Sequence, residues 1–426
     1  MVCRSASVGL TSMTVAAWPM VGRSGRNPED VAGLDLAFST PEQAYRAQVR
    51  SWIAANLPAG WGGTFSGPDD LDESARLRQD WERALHQAGY NGVHWPRKYG
   101  GQGLDYLHHL IVSEELGRVA VPEPVNIAGM ELAGPLILAV GTEEQKRRYL
   151  PPILACDEIW CQGFSEPGAG SDLAAIATRA ERDGDSWIIN GHKIWTSYAS
   201  VAQWCFLLAR TDRDAPRHKG ITMFLVPMEV AGLTVAPLEQ INGRTEFSEL
   251  FFDNVRISAD GNLGPVNEGW RIANEVLAVE RGTNRLYRQA RFQNEFEHLL
   301  DLALASRQLQ GMMAPDGALR QRFARIYARL RIHRLHNLKM ISRMDAGEKI
   351  GVESSCIKLF WSEMHQELGE LGIDVLGPEV ALDDALSPAH GRFQEVYLTS
   401  RATTIYAGTA QVQRNIIAER LLGLPR

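Results

Sequence analysis

Cysteine is scarce in this sequence and never occurs in the paired spacing of a metal site. The 426 residues contain only five cysteines, an odd number, with no Cys-x-x-Cys pair. Scattered cysteines predict free thiols in a reducing compartment rather than a disulfide framework. The adjacent histidines at 108–109 and the pair at 333 and 336 are predicted to be surface or helix-packing residues. The sequence therefore predicts no metal site. The cysteines are Cys3, Cys156, Cys161, Cys205 and Cys356.

Excess basic charge and long apolar runs are also lacking. The net charge of −7 and the pI near 5.9 argue against a nucleic-acid-binding protein, which normally presents a basic face. No apolar run is long enough to span a membrane. A hydrophobic content of 45% and a charged content of 22% are typical of a soluble globular protein. A chain of this length predicts two or three packed domains.

The first 35 residues lack the composition of a folded segment. They contain Arg and Ser but no acidic residue before Glu29. We interpret residues 1–35 as a disordered tail or as a misassigned start, with Met13 or Met20 as the true first residue. A mitochondrial transit peptide has a similar composition and is the alternative. The first interpretation predicts a cytoplasmic protein, and the second predicts one in the mitochondrial matrix.

Helical periodicity marks residues 36–155 as an N-terminal α-helical domain. Val49, Trp52 and Ile53 belong to an apolar stripe at three- and four-residue spacing. The segment "GTEEQKRRYLPPI" predicts a helix capped by Thr142. Prolines disrupt helix interiors, so this helix is predicted to stop at 151–152.

The apolar pattern changes in residues 156–263, which are predicted to form a central β domain. "SWIINGHKIWTS" contains two short apolar runs joined by Asn190–Gly191, a dipeptide that favours the turn of a tight hairpin. "QWCFLLAR", "GITMFLVPM" and "SELFFDNVRI" follow as strand-like segments separated by turn residues. These runs predict an antiparallel hairpin and at least three further strands.

Helical periodicity returns in residues 264–426, which are predicted to form a C-terminal α-helical domain. Leu319, Phe323, Ile326 and Leu330 recur at helical spacing and predict one buried face. The predicted order along the chain is therefore helical, then β, then helical.

Glu280 stands out in the first helical segment of this C-terminal region. Ile272, Val276 and Glu280 are four residues apart, so the carboxylate projects from the apolar face of its helix. Burial would raise the pKa of a carboxylate and suit it to act as a general base. A buried ion pair with Arg281 or Arg285 explains the same pattern equally well. Spacing alone leaves both interpretations open.

Four motifs in the right order give the chain a family resemblance. "WPRKYGGQG", "GFSEPGAGSDLAA", "INGHKIWTS" and "RNIIAERLLG" together resemble the acyl-CoA dehydrogenases, from about residue 36 to the C-terminus. The resemblance implies an α+β fold with an N-terminal helical domain, a central β-barrel-like domain and a C-terminal four-helix bundle. It also implies bound FAD. The sequence has no Gly-x-Gly-x-x-Gly motif for binding a dinucleotide, and this absence fits the family.

The implied reaction converts an acyl-CoA thioester to a trans-2-enoyl-CoA. A base takes the α-proton while a hydride passes from the β-carbon to flavin N5. Relatives commonly place the base in a Tyr-Glu-Gly-Thr motif, but this sequence has Ala407 at that position. Some branches of the family instead carry the base on a helix after the β domain, just before an arginine. Glu280 followed by Arg281 matches that arrangement, and the resemblance therefore favours Glu280 as the base over the weaker rival Glu275.

The resemblance also assigns cofactor-binding residues in the two central motifs. Ser165 would hydrogen-bond the pyrimidine edge of the flavin, with the backbone of Phe164 beside it. Ser171 would lie near the FAD pyrophosphate or the CoA arm. Trp195 would cover one flavin face and Ser197 would hydrogen-bond near N5.

Residues near the C-terminus complete the implied site. Thr409 and Gln411 match positions that touch FAD in the family. Tyr406, together with Ser171 and Arg281, is implied to bind the acyl-CoA substrate.

Two further features depart from the pattern of the family. Many relatives carry an Arg-x-x-Phe-Gly motif that reaches a neighbouring subunit's pyrophosphate, and the segment around Arg307 is its nearest counterpart here. Asp374 replaces a glutamine common in relatives.

The resemblance implies partners and leaves alternatives open. Relatives are tetramers that pass electrons to an electron-transfer flavoprotein, so a homo- or heterotetramer acting in fatty acid or lipid β-oxidation is expected. The chain could also be a catalytically silent subunit paired with an active relative, or a flavin monooxygenase on the same fold. Short, branched, long and sterol side-chain thioesters are all compatible with the sequence.

Overall fold

A computed structural model gives the architecture of the chain. It describes residues 38–59, 61, 71–119, 121–274, 286–306, 309, 311–314, 317–348, 350–382 and 389–425. The predicted tail at 1–35 lies outside these residues. Helices occupy the first part of the described chain, strands the middle and helices the last part, as the sequence predicts.

The N-terminal part is helical, and local sequence explains where its helices begin. Ser39 and Glu42 form a reciprocal capping box at the start of the first helix, and Thr142 with Gln145 does the same for the fifth. Val49 and Ile53 of the predicted stripe are fully buried. The helices are α1 (Thr40–Asn56), α2 (Leu71–Gln87), α3 (Tyr106–Arg118), α4 (Gly134–Val140) and α5 (Glu143–Leu154).

The predicted end of α5 at its two prolines is wrong. The helix runs on to Leu154 and includes both Pro151 and Pro152. The two carbonyls then accept bonds from the following turn: Ala155 N–H donates to Pro151 O at 3.0 Å, and Asp157 N–H to Pro152 O at 2.9 Å. Prolines remove donors but keep their acceptors, so the last turn can form around them.

The middle of the chain forms one seven-stranded sheet. Six of its strands follow the order β1-β4-β2-β3-β7-β6. The seventh, β5, is outside this linear order and pairs with β4. β1 and β2 run parallel to β4, whereas the remaining pairs are antiparallel. The strands are β1 (Trp160–Gly163), β2 (Arg179–Asp183), β3 (Ser186–Ser197), β4 (Trp204–Arg210), β5 (Ile221–Pro227), β6 (Leu233–Leu238) and β7 (Phe247–Ser258).

The hairpin predicted at Asn190–Gly191 does not form. Both residues lie inside the continuous strand β3, opposite an irregularity in β7. Asn254 of β7 has a φ of 53°, and its N–H donates to Asn190 Oδ1 at 2.9 Å. The Asn-Gly pair therefore accommodates a bulge in the partner strand rather than a chain reversal. Glycine is needed at 191 because a Cβ there would lie 2.3 Å from Thr178 Oγ1.

The C-terminal part packs four long helices into a bundle, followed by a short one. Leu319, Phe323, Ile326 and Leu330 are all buried in its core, as their spacing predicts. The helices are α6 (Tyr287–Ala305), α7 (Ala318–Asp345), α8 (Glu353–Leu376), α9 (Arg392–Thr403) and α10 (Ala410–Ile416).

Three features of the described residues concern membrane-spanning helices, metal-binding clusters and disulfide bonds. None of its helices is both long and apolar enough to cross a bilayer. Among the same residues, no group of three or more His, Cys, Asp or Glu side chains is arranged to hold a metal ion. The thiols of Cys156, Cys161, Cys205 and Cys356 are free, as predicted, and Cys3 lies outside the described residues.

A glycine allows the N-terminal helices to pack closely on the C-terminal bundle. Gly117 in α3 faces the first turns of α6, where a Cβ would lie 2.5 Å from Tyr287 O and 2.8 Å from Ala290 Cβ. The contact at 2.5 Å involves a backbone atom, which cannot rotate away. The close approach of α3 and α6 therefore depends on the missing side chain.

We expect Gly117→Ala to destabilise the protein. Overpacking costs about 1–3 kcal/mol, which outweighs the gain of about 1 kcal/mol in helix propensity. The measurement is urea unfolding followed by tryptophan fluorescence. Gly311→Ala is the matched control, because no atom lies within 4 Å of its added methyl group. Equal stability of Gly117→Ala and the wild type would contradict the tight contact.

Candidate active site

The loop between β1 and β2 carries the first group of predicted site residues. It spans residues 164–178 and closes a small turn in which Glu166 and Ala169 exchange backbone bonds of 3.2 and 3.0 Å. Phe164 is buried and packs edge-on against Phe206, with ring centroids 5.4 Å apart. Ser171 is exposed further along the loop.

A backbone bond brings this loop against β3. Ile194 N–H donates to Ser165 O at 3.0 Å, so Ser165 lies beside the end of β3 that carries Trp195 and Ser197. The structure thus brings together Phe164, Ser165, Trp195 and Ser197, four residues that the sequence assigned to one cofactor site. Ser165 and Ser197 are both half-buried.

A buried ion pair, which the sequence analysis missed, fixes the loop to the strand. Lys193 is fully buried, and its Nζ donates to Glu166 Oε1 at 2.8 Å and to Phe164 O at 3.0 Å. The Glu166 carboxylate also accepts the N–H groups of Ala177 (2.6 Å) and Thr178 (2.9 Å). A single lysine and a single glutamate therefore hold both ends of the loop.

The electrostatics of the pair are those of two charges removed from water. Burial lowers the pKa of Lys193 below its usual value, although Glu166 opposes the shift. Burial alone would raise the pKa of Glu166, but Lys193 and the backbone donors outweigh it and hold that pKa below its usual value. Period-two alternation in "WIINGHK" puts Lys193 on the same face as Trp187 and Ile189, so the sequence did contain the signal.

Trp195 stands out on the sheet surface. Its backbone has a φ of 62°, at a point where the pairing of β3 with β7 is irregular, and its side chain is 58% exposed. The ring meets Phe247 edge-on at 6.1 Å. A large exposed indole in a left-handed conformation offers a flat apolar surface to a bound ring.

The C-terminal motif forms a tight turn after α9. Ala407 and Gly408 have φ values of 53° and 87°. Gln413 Nε2 donates to their carbonyls at 2.9 and 3.1 Å, and Lys358 Nζ donates to Gly408 O at 2.7 Å. Buried side chains therefore fix the conformation of this turn.

The remaining predicted residues of this motif lie on either side of the turn. Thr409 caps α10 by accepting Val412 N–H at 3.2 Å, which gives its hydroxyl a structural role. Gln411 is exposed. Tyr406 is half-buried, and the guanidinium carbon of Arg288 lies 5.5 Å from its ring centroid. No sequence pattern pointed to Arg288.

Several predicted residues lie outside the described part of the chain or have other partners. Glu280, Arg281 and Arg307 fall in segments that the structure does not describe. Ile272, the first residue of the apolar face predicted for the helix of Glu280, is described and is fully buried. Asp374 is half-exposed and forms an ion pair with Arg322.

Comparisons with known proteins identify the family of the chain. Family models described as acyl-CoA dehydrogenase N-terminal, middle and C-terminal domains match residues 39–157, 161–255 and 267–422. The chain belongs to the acyl-CoA dehydrogenase family. The predicted family, the helical–β–helical fold and the assignment as an oxidoreductase are therefore confirmed.

Individual relatives are similar over almost their whole length. The acyl-CoA dehydrogenase IpdE1 of Mycobacterium tuberculosis is 43% identical over 387 residues, which cover 90% of this chain and 98% of the relative. The solved structure of the Tcur3481-Tcur3483 steroid ACAD matches with a TM-score of 0.78 and 30% identity, over 92% of this chain and 100% of its own. The ChsE4-ChsE5 complex of M. tuberculosis matches with a TM-score of 0.78 and 28% identity, over 92% and 99%.

The residues present fit FAD, the cofactor of this family. A Cβ added at Gly168 or Gly170 would meet no atom within 4 Å, so the loop leaves room for a ligand beside it. Buried hydroxyls of Thr196 and Ser248, in adjacent strands, have no hydrogen-bond partner among the described residues. The exposed face of Trp195 adds an apolar surface.

We expect Lys193→Met to destabilise the protein and weaken FAD retention together. Removing one partner of a buried pair costs about 3 kcal/mol, because Glu166 keeps its charge without compensation. The measurements are urea unfolding and equilibrium FAD binding by flavin fluorescence.

The control for this variant is Arg217→Met. Arg217 pairs with Asp172 of the same loop at 2.6 Å, but both side chains are mostly exposed, so its loss should cost under about 1 kcal/mol. Unchanged FAD affinity in Lys193→Met would show that the pair does not position the cofactor loop.

Proposed function

We propose that the protein dehydrogenates a CoA thioester between its α- and β-carbons, giving a trans-2-enoyl-CoA, with Glu280 as the base that takes the α-proton. The observation that carries this proposal is the pair Glu280–Arg281, in a chain that has Ala407 in the turn where many family members place a glutamate. The methyl group of Ala407 cannot accept a proton. The alternative family position, a glutamate followed by arginine after the β domain, is filled by Glu280 and Arg281.

The chain's own residues would bind and orient the reactants. We assign Ser165, Ser197 and Trp195 to the flavin ring, with Phe164 beside it. Thr409 and Gln411 would contact FAD from the C-terminal motif. When bound, FAD supplies an acceptor for the hydride that leaves the β-carbon.

Substrate contacts fall to a second set of residues. Ser171 and Arg281 would hold the CoA arm, and Tyr406 would contact the acyl group. Glu280 would be ionised yet strongly basic, since burial on the apolar face of its helix raises the pKa of a carboxylate. Proton removal from the α-carbon is the step that this chain itself would perform.

We propose a bulky, steroid-derived acyl group as the substrate class. The support is the similarity to a structure named as a steroid ACAD. Bulky substrates also accord with the resemblance to branches that carry the base on the helix.

The proposed assembly is a tetramer that passes electrons to an electron-transfer flavoprotein. One similar structure is named as a complex of two different chains, which supports a heterotetramer. The electron acceptor rests on the family resemblance alone.

A catalytically silent subunit is the second candidate function. Ala407 favours it, and so does the resemblance to a two-chain complex. Such a subunit would need no base at residue 280, and the two candidates therefore differ in their response to substitution there.

We expect Glu280→Gln to reduce the rate of flavin reduction by a thioester between about a hundred- and ten-thousand-fold, because a positioned base is lost. FAD-loaded protein would be mixed anaerobically with steroid-derived and simple acyl-CoAs while the flavin absorbance is recorded. Glu275→Gln is the matched control, an acid five residues earlier that should leave the rate unchanged.

A rescue variant makes this test specific for the base. Ala407 already has a left-handed backbone, so a glutamate at 407 adds no new backbone strain. Glu280→Gln combined with Ala407→Glu should recover part of the lost rate. Reduction that survives Glu280→Gln alone would disprove the assigned base. No reduction by any thioester in the wild type would favour the silent subunit or the monooxygenase.

A further inference from the structure

A buried arginine with an unused donor lies beside the C-terminal motif. Arg288, in the first turn of α6, is only 7% exposed. Its guanidinium carbon lies 4.7 Å from the ring centroid of Trp361 and 5.5 Å from that of Tyr406. Nη2 lies 3.6 Å from Glu123 Oε1, whereas Nη1 has no hydrogen-bond partner among the described residues. A buried guanidinium N–H without a partner is costly and indicates a missing acceptor.

The carboxylate that faces Arg288 is itself held in place. Tyr287 Oη donates to Glu123 Oε1, and Glu82 Oε1 accepts the N–H of Val125 at 2.7 Å and of Asn126 at 3.2 Å. The segment that carries Glu123 is therefore anchored to α2. The Glu123 side chain remains 29% exposed, so one side of the Arg288–Glu123 pair is open.

A chain of contacts connects this pair to the residue after Ser197 and to Tyr406. Tyr198 directly follows Ser197, and its hydroxyl accepts Arg78 Nη1 at 2.9 Å. The same Nη1 lies 3.3 Å from the carbonyl of Glu123. Arg288 then joins Glu123 to Tyr406, next to Ala407. The unused donor thus belongs to a guanidinium that packs on Tyr406, the residue assigned to the acyl group.

We propose that Arg288 determines substrate specificity by donating from Nη1 to an uncharged oxygen, such as a ring ketone, on the acyl group of the substrate. The assignment rests on the proposed function, because it takes Tyr406 as part of the acyl-binding surface. It predicts an acyl group that carries an oxygen function and is not a plain hydrocarbon.

The charge of the pair argues for an uncharged acceptor. Glu123 compensates the charge of Arg288, and a second carboxylate bound to the same guanidinium would be repelled by the first. The aromatic faces of Trp361 and Tyr406 limit the rotation of the guanidinium, which keeps Nη1 pointing in one direction. A ketone oxygen needs one donor and brings no charge.

The test compares three thioesters that differ only in the ring substituent: cyclohexylpropanoyl-CoA, its ring ketone and its ring carboxylic acid. Dissociation constants are measured by equilibrium titration of the FAD-loaded protein, and flavin reduction is recorded for the same set. The wild type should bind the ketone most tightly. Arg288→Met should lower the ketone-to-hydrocarbon preference by about 10- to 100-fold, because the donor that recognises the oxygen is lost.

The matched control is Arg329→Met. Arg329 also packs on an aromatic ring, that of Phe360 at 5.0 Å, and pairs with a glutamate, Glu367, at 2.5 Å. Its loss should leave the ketone-to-hydrocarbon preference unchanged. An equal preference in Arg288→Met and the wild type would overturn the proposal. FAD content and the melting temperature are recorded for every variant.

A second variant keeps the proposal testable if Arg288→Met does not fold. Glu123→Gln removes the competing charge, and it should shift the preference toward the ring carboxylic acid. Tighter binding of the acid than of the ketone by the wild type would overturn the choice of an uncharged acceptor. Failure of every thioester to reduce the flavin would overturn the proposed reaction, whereas the binding preferences would still decide the role of Arg288.

Discussion

The buried pair of Lys193 and Glu166 is the interaction on which the rest of the candidate site depends. The tip of the loop after β1 is open, since a Cβ added at Gly168 or Gly170 would meet no atom within 4 Å. Lys193 binds the start of this loop through Phe164 O, and Glu166 binds its end through two backbone N–H groups. A charged pair can do this in a protein interior because each charge is compensated by the other and by hydrogen bonds to the backbone.

The candidate site lies where the helical and β parts of the chain meet. Gly117 lets α3 approach α6, and Glu82 holds the segment before α4. These contacts bring Glu123 to the first turn of α6, while Arg78 links the same segment to Tyr198 at the end of β3. Three parts of the sequence that are far apart therefore contribute neighbouring polar groups. Such junctions suit a ligand site, because no single element fills them.

Sequence patterns predicted elements well where burial repeats with a regular period. The stripe around Leu319 and Phe323 is buried as predicted, and the strand-like runs after residue 203 all form strands. The prediction of a turn at Asn190–Gly191 was wrong because the same dipeptide also suits a strand that faces a bulge in its neighbour. Only the pairing with β7 decides between a turn and a strand. The end of α5 was wrong because proline forbids a donor and not the helical conformation itself.

The sequence by itself determined the family and the order of helical and β regions. Both follow from short stretches of sequence, because a motif or a periodic pattern depends on residues within a few positions of one another. Only the tertiary structure decided that Lys193 meets Glu166 and that Arg288 lies between Glu123 and Tyr406. These partners are separated by 27, 165 and 118 residues (193 − 166, 288 − 123 and 406 − 288). Contacts at such separations depend on how the sheet and the bundle pack, which no local pattern encodes.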